Sequence, residues 1–316
     1  MLDIITLGET LIDFVSLRKG FPLWQAPGFF KAAGGAPANV AAGLGKLGVK
    51  VGFIGKVGDD PFGFFLKKSL EECNVDTRHL LMSSQFRTTL AFVSLTAEGE
   101  RDFVFFRHPG ADMMLSPEEI EEEYIKGAKI LHYGSISLIN EPYRSATLKA
   151  IEIAQKNGIM LSYDPNLRLS LWESEEKARE GIKLGLSYAQ IVKLSEEELT
   201  FISGKAVPEG CEELLQQGKK LVAVTFGERG CYYSTGKDSG YVEGFKVKVV
   251  DTTGAGDGFV AGMLYKILEL GDEFTQRGRE IFRFANAVGA LTCTKRGAIR
   301  GLPTLRQVRR FLKGCE

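Results

Sequence analysis

Apolar residues in this chain come in short runs, set between longer stretches of mixed polarity. Ile4 to Leu7 forms the first run and stops at Gly8-Glu9. A less regular stretch follows to about Ala33, broken by Gly20, Pro22, Pro27 and Gly28. Pro37 to Leu47 then predicts a helix with proline in its first turn. Val51 to Gly55 predicts a second strand, and Pro61 to Glu72 a second helix. Thr89 to Thr96 and Asp102 to Arg107 are β-rich runs joined by Ala97-Glu-Gly-Glu100, the pattern of an antiparallel hairpin. That hairpin is out of step with its surroundings and predicts a small β appendage.

From Ser116 the pattern is regular. Ser116-Pro117-Glu118-Glu119 reads as a capping box. Strands at Lys129–His132, Met160–Tyr163, Gln190–Lys193 and Leu221–Thr225 alternate with helical stretches. Such alternation predicts a parallel sheet covered by helices on both faces. Gly230 to Ser234 and Tyr241 to Val250 are further β-rich runs, and Ala255 to Leu270 and Arg277 to Thr292 are long helices. No repeat or linker interrupts the chain. The reading is one α/β domain, 1–316, with a β hairpin region.

Composition changes this picture little. Of 316 residues, 44% are hydrophobic, enough for a large core, and the 40 basic residues balance the 40 acidic ones. That balance argues against a nucleic-acid partner. The five cysteines include no Cys-x-x-Cys pair, which predicts reduced thiols in a cytoplasmic protein rather than a zinc or disulfide framework. Met1 to Thr10 has no basic segment before an apolar one and reads as a core strand, not a signal peptide. No run of 18 apolar residues predicts a membrane span.

Asp251-Thr-Thr-Gly-Ala-Gly-Asp-Gly-Phe259 carries the chemistry. A β run, Phe245 to Val250, is expected to enter it, and an apolar helix to leave it. Gly254 and Gly256 let successive backbone N–H groups converge, and a helix N-terminus adds positive potential. Gly254, Ala255 and Gly256 are therefore expected to form an anion hole suited to a transferring phosphoryl group. Asp257, in the helix's first turn, is placed to take the proton of an attacking hydroxyl. The same aspartate alone would also suit a simple helix end.

Gly34-Gly35-Ala36-Pro37-Ala38-Asn39 is a second glycine-rich segment. It allows close approach of a ligand, and Asn39 can bond a hydroxyl. Locally it also reads as a helix entry. Gly43-Leu-Gly45-Lys-Leu-Gly48 matches G-x-G-x-x-G but precedes a strand instead of following one, so it is rejected as a dinucleotide site. No P-loop signature is present. None of the three histidines (His79, His108, His132) is expected to be catalytic.

The paired segments Gly34-Gly-Ala-Pro-Ala-Asn-Val-Ala and Asp251-Thr-Thr-Gly-Ala-Gly-Asp-Gly-Phe resemble the two signatures of the ribokinase-like (PfkB) carbohydrate kinases. Phe106–Leu115, Tyr133–Ile139, Ser162–Trp172 and Lys295–Thr304 resemble the fructokinases among them. The resemblance implies a doubly wound α/β fold with a β-sheet lid, here near residues 14–33 and 89–107. It implies ATP-dependent phosphorylation of D-fructose to fructose 6-phosphate, with Asp257 as base. Asp13, Gly34, Gly35 and Asn39 would hold sugar hydroxyls, and Arg107 and Arg168 would serve the sugar and phosphate end. The nucleotide would lie near Lys193, Glu198, Thr225, Gly227, Gly230 and Asn286. Many members have Asn-x-x-Glu where this chain has Ser195-Glu-Glu-Glu198, itself a good capping box. Glu198 would join a water and Mg²⁺ network, with Mg²⁺ held mainly by ATP. A monovalent cation such as K⁺ would sit on backbone carbonyls around Asp251 and Thr253.

Three rivals stay open at this stage. A 2-keto-3-deoxygluconate kinase would place Arg107 and Arg168 on a carboxylate, although Phe105 and Phe106 stand where such kinases tend to offer tyrosines. A ribose or nucleoside kinase is a weaker rival. A non-catalytic sugar-binding regulator would be marked by loss of the base or anion hole, and both are present. The apolar run Leu90–Leu95 is expected to leave an exposed edge through which two lids pair into a homodimer.

Overall fold

The computed structural model describes residues 1–18, 20–95 and 101–315. A nine-stranded sheet forms its body. In spatial order the strands are Ser239–Glu243, Gly230–Ser234, Leu221–Thr225, Ile191–Ser195, Met160–Asp164, Ile130–Gly134, Ile4–Leu7, Val51–Gly58 and Val75–Ser83. The seven strands from Leu221–Thr225 to Val75–Ser83 run parallel, and an antiparallel hairpin closes one edge. Strand side chains alternate between two cores, because successive residues face opposite sides. Ile4 joins the core under helices Ala36–Lys46, Ala255–Leu270 and Gly278–Thr292, while Ile5 and Leu7 join the one under Tyr143–Lys156 and Glu175–Tyr188. With both faces covered, the central strands are near-continuous apolar runs.

A separate four-stranded sheet has the order Phe29–Gly34, Leu11–Ser16, Leu90–Leu95, Arg101–Phe106. The expected antiparallel hairpin forms, with Leu90 opposite Phe106. Its turn, Ala97 to Glu100, lies outside the described residues. The stretch read as irregular, up to Ala33, in fact supplies two of the four strands. Its glycines and prolines fall in the connection between those strands and obscured them. On one face of this sheet Phe14 stacks on Phe92 at 4.9 Å, and Phe62 of the large body meets Phe14 edge-on at 5.7 Å.

Two expectations fail, and one strand was not expected at all. Val75–Ser83 is an edge strand that the sequence did not suggest, since polar Asp76, Arg78 and His79 dilute its apolar pattern. Phe245 to Val250 forms no strand. Its β-like alternation finds no ladder partner, and Val249 and Val250 are exposed at 56% and 49%. Leu90–Leu95 is not an edge, because it is paired on both sides, to Leu11–Ser16 and to Arg101–Phe106. Among the described residues no helix is long and apolar enough to cross a membrane.

Candidate active site

A cleft of about 690 Å³ opens between the two sheets. It lies at the carboxyl ends of the parallel strands, where Ile4–Leu7 meets Ile130–Gly134. The chain builds the sheet to one side of Ile4–Leu7 first and then crosses to the other, and such a reversal leaves a crevice. Asp13, Gly35, Asn39, Arg168, Lys193, Asp251, Thr253, Gly254, Ala255, Gly256 and Asp257 all line it. Eleven positions chosen from sequence thus meet in one place, drawn from segments more than 200 residues apart.

Asp257 sits on the floor, 9% exposed, as the third residue of helix Ala255–Leu270. Gly254 caps that helix in the left-handed region at φ 79°. Asn39 Nδ2 donates to Asp257 Oδ2 at 2.7 Å, joining the two glycine-rich segments directly. Burial pushes the Asp257 carboxyl up to about 6. The Asn39 bond opposes that rise, Asp164 adds to it, and Lys193 and Arg168 oppose it. A carboxylate poised near neutrality suits a general base. The other amide atom, Asn39 Oδ1, is buried with no partner among the described residues. A buried acceptor left open is costly unless a ligand hydroxyl completes it.

Asp13 lies on the cleft side of the small sheet. Its carboxylate rests on Gly34, where a Cβ would come within 2.2 Å of Asp13 Oδ2. Gly34 therefore makes room without lining the cleft itself. Gly35 has φ 105°, and a Cβ there would meet the Glu9 carbonyl oxygen at 2.3 Å. Only glycine fits.

Lys193 is buried and pairs with Asp164 at 3.1 Å. Burial alone would lower its pKa, but Asp164, then Glu198 and Asp257, outweigh that and hold the ammonium above its ordinary value. Its Nζ lies 3.5 Å from where a Gly256 Cβ would stand, at the start of the helix. Lys193 thus faces the anion hole, closer to the reacting end than a nucleotide contact alone requires. Arg168 is exposed at the same cleft, and its guanidinium donates to the Leu167 carbonyl at 3.0 Å. Asp251 braces the glycine turn: its carboxylate accepts from Thr253 N, Thr253 Oγ1 and Gly297 N at 3.0, 2.7 and 2.9 Å.

Several expected ligands are turned elsewhere. Arg107 is 7% exposed, does not line the cleft, and is locked to Asp112 at 2.7 Å. A guanidinium that far from water takes the nearest carboxylate. Glu198 is first a structural group: it completes the capping box with Ser195, and its oxygens accept from Ser195 N and Leu167 N, both at 2.7 Å. Asn286 donates its amide to the Val242 and Glu243 carbonyls at 3.0 and 3.1 Å, clamping the edge hairpin instead of opening toward a base. Thr225 and Gly227 stand at the same carboxyl edge of the sheet, two strands beyond Asp164, but outside the cleft. Gly230 belongs to the hairpin, where a Cβ would strike the Val242 carbonyl at 2.1 Å.

The sequence reading missed Glu9 and Asp164, both in the cleft. Each is an acid at or just beyond the end of a parallel strand, the position where ligand-facing groups gather. That placement was the available signal.

A family model described as pfkB family carbohydrate kinase matches residues 1–305. The chain belongs to the pfkB family of carbohydrate kinases. Its fold is the ribokinase-like α/β fold of that family. This pfkB kinase is 50% identical to probable fructokinase-4 of Arabidopsis thaliana over 317 residues, covering 98% of this chain and 97% of the relative. It is also 50% identical to fructokinase-2 of Solanum lycopersicum, covering 98% and 96%. The fructokinase of Xylella fastidiosa, solved with bound ATP, superposes with a TM-score of 0.90 at 35% identity, covering 100% of this chain and 99% of that one. The fructokinase of Vibrio cholerae O395, solved with fructose, ADP and calcium, gives 0.88 at 36% identity, covering 98% and 99%.

Proposed function

We propose that this pfkB kinase transfers the γ-phosphoryl group of ATP to the 6-hydroxyl of D-fructose, giving fructose 6-phosphate and ADP. The observation that carries the chemistry is the buried Asp257 carboxylate, held by Asn39 and set beside a glycine-capped helix N-terminus. The choice of sugar draws on the fructokinases to which the chain is similar. Asp257 takes the hydroxyl proton as the oxygen attacks phosphorus. The N–H groups of Gly254, Ala255 and Gly256 meet the charge on the transferring group, and Lys193 and Arg168 add positive potential. Asp13, Gly35 and Asn39, with its open Oδ1, hold sugar hydroxyls. The adenosine end lies toward the Thr225–Gly230 turn. The four-stranded sheet acts as a lid over the sugar and excludes water.

Mg²⁺ bound to the ATP phosphates would neutralise their charge. The chain's acids fit that division of labour. Asp164 is committed to Lys193 and Glu198 to two backbone N–H groups, and no cluster of three metal-ligating side chains exists among the described residues. Glu198 would therefore act only through water. The braced turn at Asp251 and Thr253 offers its carbonyls to K⁺. The free cysteines fit a cytoplasmic setting.

An ADP-release assay with MgATP against fructose, 2-keto-3-deoxygluconate, ribose, glucose and adenosine tests this reading. Selective turnover of fructose is expected. Preference for the keto-acid would overturn the choice of sugar, but Arg107 is not available beside Arg168 to bind its carboxylate. Absence of turnover on all five would favour a sugar-binding regulator.

We also propose a homodimer, formed through the small sheet. Its outer edge strand exposes Val104 (45%) and Phe106 (61%) on the face that carries Phe92. Sedimentation at micromolar concentration is expected to give twice the monomer mass, and Phe106→Glu to give the monomer. A monomeric wild-type protein would sink the idea.

A further inference from the structure

Glu9 is a buried acid that the proposed chemistry does not use. It follows the first strand, where the chain crosses from the large sheet into the small one, and it is 3% exposed. Its Oε1 accepts the N–H of Ala36 at 3.0 Å. Its carbonyl oxygen occupies the space beside Gly35 that any other residue would need. The next residue, Thr10, donates from Oγ1 to the Gly34 carbonyl at 3.2 Å. Glu9 and Thr10 therefore grip the Gly34–Ala36 crossing with side chain and backbone together.

That crossing leads straight to the reacting groups. Asn39 N donates to Gly35 O at 2.8 Å, and Asn39 Nδ2 holds Asp257. A third crossing, at the exit of strand Arg101–Phe106, brings Arg107 within electrostatic reach of Glu9. Arg107 is fixed by Asp112, whose other oxygen accepts from Thr89 Oγ1 at 2.5 Å. Arg107 and Glu9 attract each other, while Asp112 and Tyr143 also face this cluster. The acid thus sits where three chain crossings between the sheets converge.

We infer that Glu9 is a positioning residue for the sugar: its reach to Ala36 N fixes the Gly35–Asn39 turn against Asp257. This rests on the fructose kinase reading above. A carboxylate at this site must have the right length. Aspartate keeps the charge but is one methylene too short to reach Ala36. Glutamine keeps the reach and loses the charge.

The test is steady-state kinetics of wild type, Glu9→Gln, Glu9→Asp and Glu9→Ala, with melting temperatures alongside. Glu9→Asp and Glu9→Ala are expected to raise KM for fructose at least tenfold, with KM for ATP within twofold of wild type. Glu9→Gln is expected to restore fructose KM to within about threefold. Should Glu9→Ala not fold, the Gln and Asp variants decide. A fructose KM within twofold of wild type in Glu9→Asp would overturn the inference, since that outcome leaves Glu9 a purely structural acid. Rescue by Asp and not by Gln would overturn it as well, because charge and not reach would then matter. Failure of the wild type to phosphorylate fructose would instead overturn the reading on which this one rests.

Discussion

Asp257→Asn is expected to lower kcat on fructose by about 10²–10⁴-fold, the usual contribution of a general base. The amide keeps the shape of the carboxylate and still offers an oxygen to Asn39 Nδ2. Fructose and ATP should therefore bind with nearly unchanged KM, and the loss should fall on kcat. A variant that retains activity within tenfold of wild type would remove Asp257 from the role of base.

The same carboxyl predicts a pH profile and a stability difference of defined sign. Its pKa is raised, from 3.8 to about 6. Wild-type kcat/KM should fall tenfold per unit as pH drops below about 6, because the protonated acid cannot accept the hydroxyl proton. For stability, the folded state binds this proton more tightly than the unfolded chain. The contribution is therefore fully present below about pH 4 and is lost as pH rises through about 6. At pH 8 the native state carries a buried charge at a cost of roughly 3 kcal/mol, taking about two pKa units at 1.36 kcal/mol each. Asparagine never carries that charge. Asp257→Asn should melt higher than wild type at pH 8, with a gap that shrinks toward pH 5. Equal melting temperatures at both pH values would contradict the raised pKa.

How much of this was legible in the sequence depended on whether one local pattern sufficed. The helix Ala255–Leu270 appears within the bounds expected, since its apolar face and glycine cap are local signals. That Asn39 and Asp257 serve one site followed from the resemblance of their two glycine-rich segments to a paired signature, but the bond between them across 218 positions was not foreseen. Periodicity misled at Phe245–Val250, where alternation existed without a neighbouring strand to pair with. Arg107 and Asn286 lie outside the cleft for a different reason. Both are polar groups in ligand-like contexts, but the fold satisfies them internally, with Asp112 and with two backbone carbonyls. Which polar groups the protein satisfies itself depends on tertiary contacts, and sequence does not display those. Glu9 shows the converse. Its partner Ala36 comes from a distant segment, so only its place just beyond the first strand could have marked it out.

Gly254→Ala should be the most damaging change in the glycine turn. Gly254 has φ 79°, a conformation an alanine adopts only under strain, and its added Cβ would stand 2.6 Å from Ala298 Cβ and 2.9 Å from Ala298 Cα. The obstacle is partly backbone, so it cannot swing aside. Either the turn or the Ala298–Gly301 helix must move. Strain of this kind costs about 1–3 kcal/mol. Movement of the turn also withdraws N–H groups from the phosphoryl site, and loss of one such donor costs about 10²–10³ in kcat. Gly256→Ala supplies the control. That glycine does not have a positive φ, and its Cβ would meet only the Lys193 ammonium, at an ordinary 3.5 Å. The Gly256 variant should melt like wild type and weaken ATP binding by crowding the space between Lys193 and the helix start. Melting curves and kinetics of the two variants together check the argument. If Gly254→Ala were as stable and as active as Gly256→Ala, the turn would be tolerant of displacement, and the anion hole would have to be built from other groups.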